Sequence, residues 1–201
     1  DHHAYKDITP RGFCQGGRGA FTVTSSFPGT MFISLSALTD GTSNTVAIGE
    51  CVTMPSASSN KIKGGIYTGT AFSTSPSACN GYRSSSDPSV FTTTTSVSST
   101  GRGSNYAYGG NDYTYFNTIL PPNSPSCQYQ VNSSSRPACY SLSSFHSGGA
   151  NVVLADGAVQ FISETIDCGD LTYSTDITTG QSPYGVWGAM GSICGGESKS
   201  L

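Results

Sequence analysis

Histidine is scarce in this sequence, and its three positions limit the proton-transfer chemistry that can be considered. They are His2, His3 and His146, and imidazole is the side chain best suited to exchange a proton near neutral pH. His2 and His3 are expected to be terminal residues without a role. A Ser/His hydrolase would combine His146 with Asp156 and a serine, but serine is abundant here by composition alone. The sequence also lacks a Gly-x-Ser-x-Gly, His-Glu-x-x-His or Walker loop, so we predict that the protein is not an enzyme.

Several oxygen-bearing side chains have a structural explanation instead. Asp40 opens the turn-rich segment DGTSN, and it is predicted to accept hydrogen bonds from the amides just after it. Asn44, Glu50 and Asp156 are expected to satisfy turn amides in a similar way. His146 is expected to bridge two backbone groups with its ring nitrogens. No cofactor is predicted; Ca²⁺, which prefers such oxygens, is the alternative, although EF-hand spacing is absent.

The cysteines predict disulfides and an oxidising compartment. None of the seven lies in a Cys-x-x-Cys pair, so zinc-ribbon and thioredoxin spacings are absent. The easiest pair to propose is Cys127 with Cys139, because they flank one polar loop, and Cys168 with Cys194 would tie down the C-terminal segment. Of the remaining three, Cys14, Cys51 and Cys79, one thiol is left over, and it is expected to be free, intermolecular or paired with a residue lost from the N-terminus. The disulfide candidates are Cys14, Cys51, Cys79, Cys127, Cys139, Cys168 and Cys194.

Short strands and turns are the elements that must position these groups. The strongest signal is a hairpin over residues 150–163, in which Asp156-Gly157 predicts a tight primed turn. Val152, Leu154, Val159 and Phe161, or their alternates, are predicted to face the core. Further strands are expected at residues 21–27, 45–50 and 64–72, with a strand or short helical turn at 31–38. Residues 182–196 are predicted to form a short helix or a loop cover.

The remaining segments are predicted to be loop-like. Residues 1–30 form an N-terminal loop and strand region, and residues 73–143 a long insertion rich in Ser, Thr and Tyr. Within the insertion, residues 73–100 are predicted to be a solvated surface excursion, and Asn132 heads a candidate N-glycosylation sequon. Four tyrosines are expected to pack structurally, with sugar stacking as the alternative. They are Tyr106, Tyr108, Tyr113 and Tyr115.

Composition excludes several classes of function. The 201-residue chain has a net charge of −3, and its nine Lys and Arg residues are scattered along the sequence, so nucleic acid is not expected as a partner. No apolar run approaches the roughly 20 residues of a membrane helix. Residues 145–197 hold the hairpin and tail, and the whole chain is predicted to be one β-rich α+β domain with a mainly antiparallel sheet and long, disulfide-stapled loops.

Four segments of the sequence carry a resemblance to a known family. ALTDGTSNTVAIGE at residues 37–50 and FHSGGANVVLADGAVQFISETID at 145–167 resemble a DGTSNT signature and an H-x9-DG motif. FNTILPPNSPSC at 116–127 and SPYGVWGAMGSICGGE at 182–197 follow the same pattern. Together they resemble bacterial prepilin-like proteins of the type II secretion pseudopilin kind with a C-terminal domain of unknown function. The motif positions, read as structural, are Asp40, Gly41, Thr42, Ser43, Asn44, Glu50, His146, Asp156 and Gly157.

The resemblance implies a pilin-like head and a function at the cell surface. Such proteins carry a long apolar N-terminal helix that is missing from this sequence, and membrane contact is expected only through that helix. The expected function is an extracellular structural subunit of a cell-envelope or filamentous assembly, with self-association into a homopolymer. A carbohydrate-binding or adhesive surface module is the alternative, with glycans as partners, and a Ser/His hydrolase ranks third.

Overall fold

The structure, a computed structural model, describes residues 19–21, 33–54, 59–68, 75–93, 96–98, 101–107, 111–128, 138–173 and 180–197. Its strands are short, as a chain rich in Gly, Ser and Thr predicts. They are β1 (Val46–Gly49), β2 (Ile66–Thr68), β3 (Ser126–Gln128), β4 (Ala138–Cys139), β5 (Gly149–Leu154) and β6 (Val159–Ser163). The helices are α1 (Pro76–Asn80), α2 (Asn111–Thr114) and α3 (Gly185–Met190), and 3-10 turns occupy Leu35–Ala37 and Thr42–Asn44.

The first sheet has the strand order β1-β5-β6 and is antiparallel throughout. The β5–β6 hairpin confirms the predicted pair of strands, but its turn is not the predicted two-residue primed turn. The Gly157 N–H donates to Leu154 O at 2.9 Å and the Leu154 N–H to Ala158 O at 2.8 Å. Gly157 alone in this turn has a positive φ, 90°. This is a three-residue loop with a glycine bulge, the next most common hairpin connection.

The bulge decides which side chains of β6 face the core. Ala150 pairs with Ile162, and both are buried, whereas Val153 pairs with Val159 on the outer face. Val152 and Leu154 face inward as predicted, but on β6 the alternate residues do so. Val159 is 70% exposed and Phe161 46% exposed, so the extra residue of the loop sets the register of the second strand.

The second sheet has the order β2-β3-β4 and mixes two orientations. β2 and β3 are parallel, whereas β3 and β4 are antiparallel. Its strands come from distant parts of the chain, so residues 73–143 contribute structure as well as loops. Cys79 and Phe91 of the predicted surface excursion are buried, and that prediction is therefore wrong for these two residues.

Each sheet packs on a hydrophobic core of its own. Trp187 of α3 is fully buried against the inner face of the first sheet, with Leu142, Val152 and Ile162. Its indole N–H donates to the carbonyl of Leu120 at 2.9 Å, and Leu120 belongs to the core beneath the second sheet. The predicted helical cover at the tail is confirmed, and it joins the two cores.

Other predicted elements have mixed outcomes. The strand expected at residues 45–50 is confirmed as β1, the helical turn expected within 31–38 is the one at Leu35–Ala37, and part of 64–72 forms β2. Most of residues 21–27 lie outside the described part of the chain. The prediction of a β-rich, single-domain fold is confirmed. Within the described residues, no helix is both long and apolar enough to cross a membrane.

Candidate functional site

Asp40 joins its own motif, the DGTSNT segment, to the C-terminal tail. Its carboxylate accepts hydrogen bonds from the Gly195 N–H at 2.7 Å and the Gly196 N–H at 3.0 Å. The predicted bonds to amides just after it are therefore wrong, because the following 3-10 turn has no side-chain cap. That turn is held by Asn44, whose amide donates to Asp40 O at 3.0 Å. Asp40 closes a long-range contact that local turn chemistry does not reveal.

Asp156 joins the same motif to the hairpin. Its carboxylate accepts the N–H of Ala158 at 2.9 Å, as predicted for a turn residue, and it also hydrogen-bonds the Ser43 side chain. The Ala158 amide and then the Ser43 side chain hold the pKa of Asp156 below its ordinary value. The DGTSNT segment, which precedes β1, and the DG turn between β5 and β6 are therefore hydrogen-bonded to each other at the first sheet.

Glu50, at the end of β1, lies at the centre of a third polar group. Its carboxylate accepts the N–H of Asn151 at 2.8 Å and the side-chain amide of Asn151 at 3.1 Å. Burial raises the pKa of Glu50, but hydrogen bonds from Asn151 and Ser144 and the charge of His146 outweigh it and leave the pKa lowered. Glu50 thus ties the end of β1 to the middle of β5.

His146 does not have the predicted contacts. Its Nε2 lies 3.3 Å from Glu50 Oε1, and its side chain is 58% exposed. The predicted bridge between two backbone groups is therefore wrong: a carboxylate is the partner of the ring. Ser144 hydrogen-bonds Glu50 as well, so the carboxylate lies between serine and imidazole. In a hydrolytic triad the imidazole contacts the serine instead.

A cleft of about 700 Å³ opens beside this polar group. Its lining includes Lys61, Lys63, Arg83, Asn123, Phe145 and Glu164, and we call it the basic cleft. Of the nine basic residues in the sequence, four lie in the described part of the chain, Lys61, Lys63, Arg83 and Arg102. The first three line the cleft, and Arg102 is buried, 1% exposed, over the ring of Tyr140.

Asn123 organises one wall of the basic cleft. Its side-chain amide donates to Glu164 Oε1 at 2.6 Å and to Gly149 O at 3.3 Å, and its Oδ1 accepts the Ser144 N–H at 2.9 Å. Its φ of +62° is the one positive value among the non-glycine residues that the structure describes. Residues other than glycine adopt this left-handed backbone conformation at a cost in free energy, and residues in such a conformation cluster at functional sites.

The residues of the basic cleft are far apart in the sequence, which does not predict the cleft. Its cations are separated by 20 or more positions along the chain apart from the Lys61-x-Lys63 pair, so they read as scattered charges. Two signals were present: the Asn in LPPN at residues 120–123 and the aromatic residue directly before His146. Three of the four segments that carry the resemblance meet at or beside the cleft through Glu50, Asn123 and Phe145.

The cysteines pair differently from the prediction. Cys79 of α1 is bonded to Cys127 of β3, with Cα atoms 5.9 Å apart. Cys139 lies opposite Cys127 in the register of β3 and β4 but is free, so the predicted Cys127–Cys139 bridge is wrong. Cys168 is free, and Cys194 is disulfide-bonded to a partner outside the described residues, which corrects the Cys168–Cys194 prediction.

Two of the free cysteines, Cys139 and Cys168, are poorly suited to reaction. Cys139 is fully buried, and this burial raises its pKa far above the ordinary value. Burial, and then the neighbouring Asp167 carboxylate, raise the pKa of Cys168 to about 12. Thiolates are the reactive form of cysteine, so both thiols stay protonated near neutral pH. Cys51 is half-buried and also free.

The remaining predicted positions are not brought together. Tyr106 is 88% exposed, and Tyr113 and Tyr115 are partly exposed, whereas Tyr108, Asn132 and Cys14 lie outside the described residues. Within the described part of the chain, no group of three or more His, Cys, Asp or Glu side chains could hold a metal ion. The prediction of no cofactor and its Ca²⁺ alternative both stay predictions.

Most of the chain, including the sheets and the cleft, matches one protein family. A family model described as "Protein of unknown function (DUF1559)" matches residues 4–169, which is most of the chain. The chain belongs to this family. The match includes both sheets, the basic cleft and the motif positions from Asp40 to Asp156. No curated protein and no solved structure matches the chain.

Proposed function

We propose that this member of the family is an extracellular structural protein, a pilin- or pseudopilin-like subunit of a cell-envelope or filamentous assembly. The four quoted segments support the pilin-like part of the proposal, and the Cys79–Cys127 bond supports an oxidising location. The motif residues Asp40, Glu50 and Asp156 bind main-chain amides, which is the work of a scaffold.

One observation carries the proposal: the outer face of the first sheet has an apolar patch without a cover within the described residues. Ile48, Val153 and Val159 are cross-strand partners in one row over three strands, and Phe161 lies on the same face. We call these four residues the outer patch. Ile48 is 59% exposed and Val159 70% exposed, and contiguous apolar surface of this kind marks interaction sites.

The edge of the same sheet offers a second means of association. β6 is the last strand in the order β1-β5-β6, so its outer backbone groups are not paired in that sheet. Unpaired edges pair readily with another chain. A second copy that packs on the outer patch or extends the sheet at β6 would repeat the contact from subunit to subunit.

The proposal is tested by placing a charge in the outer patch. We expect native protein to form multimers or filaments in sedimentation velocity and negative-stain electron microscopy, and Val159→Lys to shift it to monomer. Leu35→Lys is the matched control, because Leu35 is equally exposed, at 71%, but lies outside the sheet. Wild-type protein that stays monomeric at every concentration, or a Val159→Lys variant that assembles normally, would contradict the proposal.

A carbohydrate-binding surface module is the second candidate. The observation that favours it is the basic cleft with its exposed Phe145, rather than the tyrosine tract from which the alternative first arose. The two functions are compatible, because the cleft and the outer patch share no residue.

A further inference from the structure

The cations of the basic cleft are held in place by neutral groups. Lys63 Nζ donates to Ser144 O at 2.6 Å, and Arg83 donates to Pro88 O at 2.7 Å and to Asn123 O at 3.3 Å. Lys61 Nζ donates to the Ser89 hydroxyl at 3.4 Å. None of the three forms a salt bridge with a carboxylate of the described residues. These contacts orient the three charges without neutralising them.

The acidic groups near the cleft are hydrogen-bonded to neutral donors rather than paired with the three cations. Glu164 receives the amide of Asn123, and Asp87 receives the N–H of Ser89 at 2.9 Å and its hydroxyl at 2.7 Å. The charge of Lys61 contributes least to the lowered pKa of Asp87, after the bonds from Ser89. In a protein of net charge −3, the described lining of the cleft combines three cations with one carboxylate, Glu164, and this excess of positive charge favours an anionic ligand.

Phe145 gives the cleft an apolar platform beside these charges. Its side chain is 83% exposed, and Lys63 Nζ lies 5.8 Å from the centre of its ring. Val52, Ile62, Pro88 and Pro122 add further apolar lining. The C–H face of a sugar ring can bury its surface on such a platform, while acidic substituents on the same ring reach the cations.

The cleft is also formed in advance of binding. Asn123, held at φ +62°, forms side-chain hydrogen bonds with the backbone of Ser144 and Gly149 and with the carboxylate of Glu164. Its backbone carbonyl accepts a hydrogen bond from Arg83. A wall fixed by this many hydrogen bonds loses little conformational entropy when a ligand binds. The volume of the cleft, about 700 Å³, lies within the range of small-ligand sites.

From these observations we infer that the basic cleft binds an acidic oligosaccharide, with carboxylate-bearing sugar units opposite Lys61, Lys63 and Arg83 and one ring packed on Phe145. The inference adds a ligand class to the second candidate function and does not depend on self-assembly. A simple phosphate ion fits less well, because it would contact the cations but leave the exposed ring of Phe145 without a partner.

The test measures binding of short alginate oligosaccharides, which are polymers of uronic acids, by isothermal titration calorimetry on the full chain. Lys63→Gln and Phe145→Ala are each expected to weaken binding about tenfold or more, since each removes a charge-assisted bond or the platform. Phe145→Trp, which keeps an aromatic face, should bind as wild type does. Binding should also weaken as NaCl is raised.

Gln181→Glu is the matched control for charge. It lowers the net charge by one, as Lys63→Gln does, at an exposed position that does not line the cleft, and alginate affinity should stay within twofold of wild type. Neutral mannan oligosaccharides should bind at least tenfold more weakly than alginate. Equal binding of the two would overturn the acidic specificity and leave a carbohydrate module standing. No binding of either, or unchanged binding by Phe145→Ala, would overturn the site itself.

Discussion

The two sheets of this protein are built by different means. The first, β1-β5-β6, takes two of its three strands from one hairpin, and polar side chains such as Glu50 and Asp156 fasten its ends. The second, β2-β3-β4, gathers strands of two or three residues from distant positions and carries the Cys79–Cys127 bond. Local turn chemistry therefore specifies the β5–β6 hairpin of the first sheet, whereas long-range contacts add β1 to it and covalent closure of a long loop holds the second sheet.

The largest loss of stability is expected on removal of Trp187, the residue that contacts both regions. Trp187 is fully buried on the first sheet, and its N–H bonds Leu120 in the second core. Trp187→Ala should lower the free energy of unfolding by about 3–5 kcal/mol, because it leaves a cavity and an unpaired carbonyl. Urea denaturation followed by circular dichroism measures the loss.

Tyr173→Ala provides the comparison for Trp187→Ala. Tyr173 is 51% exposed, and its loss should change the free energy of unfolding by less than about 0.5 kcal/mol. A Trp187→Ala variant as stable as Tyr173→Ala would show that α3 does not join the two cores. A loss of cooperativity in the variant, with two transitions, would show that the sheets fold separately once the link is gone.

Removal of the disulfide alone should affect mainly the second sheet. The Cys79–Cys127 bond spans 48 positions, so the double variant Cys79→Ala/Cys127→Ala should lose about 2–4 kcal/mol of stability through the greater entropy of its unfolded chain. Hydrogen exchange should report lost amide protection mainly in β3 and β4. Cys51→Ala, which removes a free half-buried thiol, is the control and should leave exchange unchanged.

If the double variant lost protection equally in β5 and β6, the proposed division between the sheets would be wrong. Cys139 lies opposite Cys127, and in the double variant its buried thiol has neither Cys79 nor Cys127 with which to form a new disulfide. Peptide mapping under non-reducing conditions should show no new bridge to Cys139.

The same division explains how much of the fold could be predicted. The hairpin was predictable, because Asp156-Gly157 between two alternating runs is a local signal, and so was the helix around Trp187. The second sheet was not, because β4 has two residues and β2 pairs in parallel with a strand 60 positions away. Neither the pattern of a short strand nor cysteine spacing reveals such partners.

The candidate site was predictable only in part, for a related reason. The sequence marked Asp40, Glu50, His146 and Asp156 but not their partners, because hydrogen bonds to residues 195, 196 and 151 depend on the tertiary fold. The basic cleft was missed because its cations are near one another only in space. One extra residue in the hairpin loop likewise placed Val159 and Phe161 on the outer face of the sheet, because a shift of one residue in register turns every side chain of a strand to the other face.

The smallest expected effect tests the polar fastening of the first sheet by pH. The folded pKa of Glu50 is lowered from its usual value of 4.5, so the folded protein binds this proton less readily than the unfolded chain does. The stability from Glu50 is therefore fully present above about pH 4.5 and is lost as pH falls through the folded pKa. Because Glu50 is about one third exposed, we expect Glu50→Gln to cost only about 1 kcal/mol at pH 7.

Urea denaturation of wild type and Glu50→Gln between pH 7 and pH 3 checks this prediction, and the two should converge as the pH falls. His146→Ala separates the two sources of the lowered pKa. Burial works against the shift, the bonds from Asn151 outweigh it, and the charge of His146 contributes least, so His146→Ala should keep most of the wild-type pH dependence. If His146→Ala abolished the pH dependence of stability, the His146–Glu50 ion pair would be its source. The hydrogen bonds between Glu50 and Asn151 of β5 would then not stabilise the first sheet.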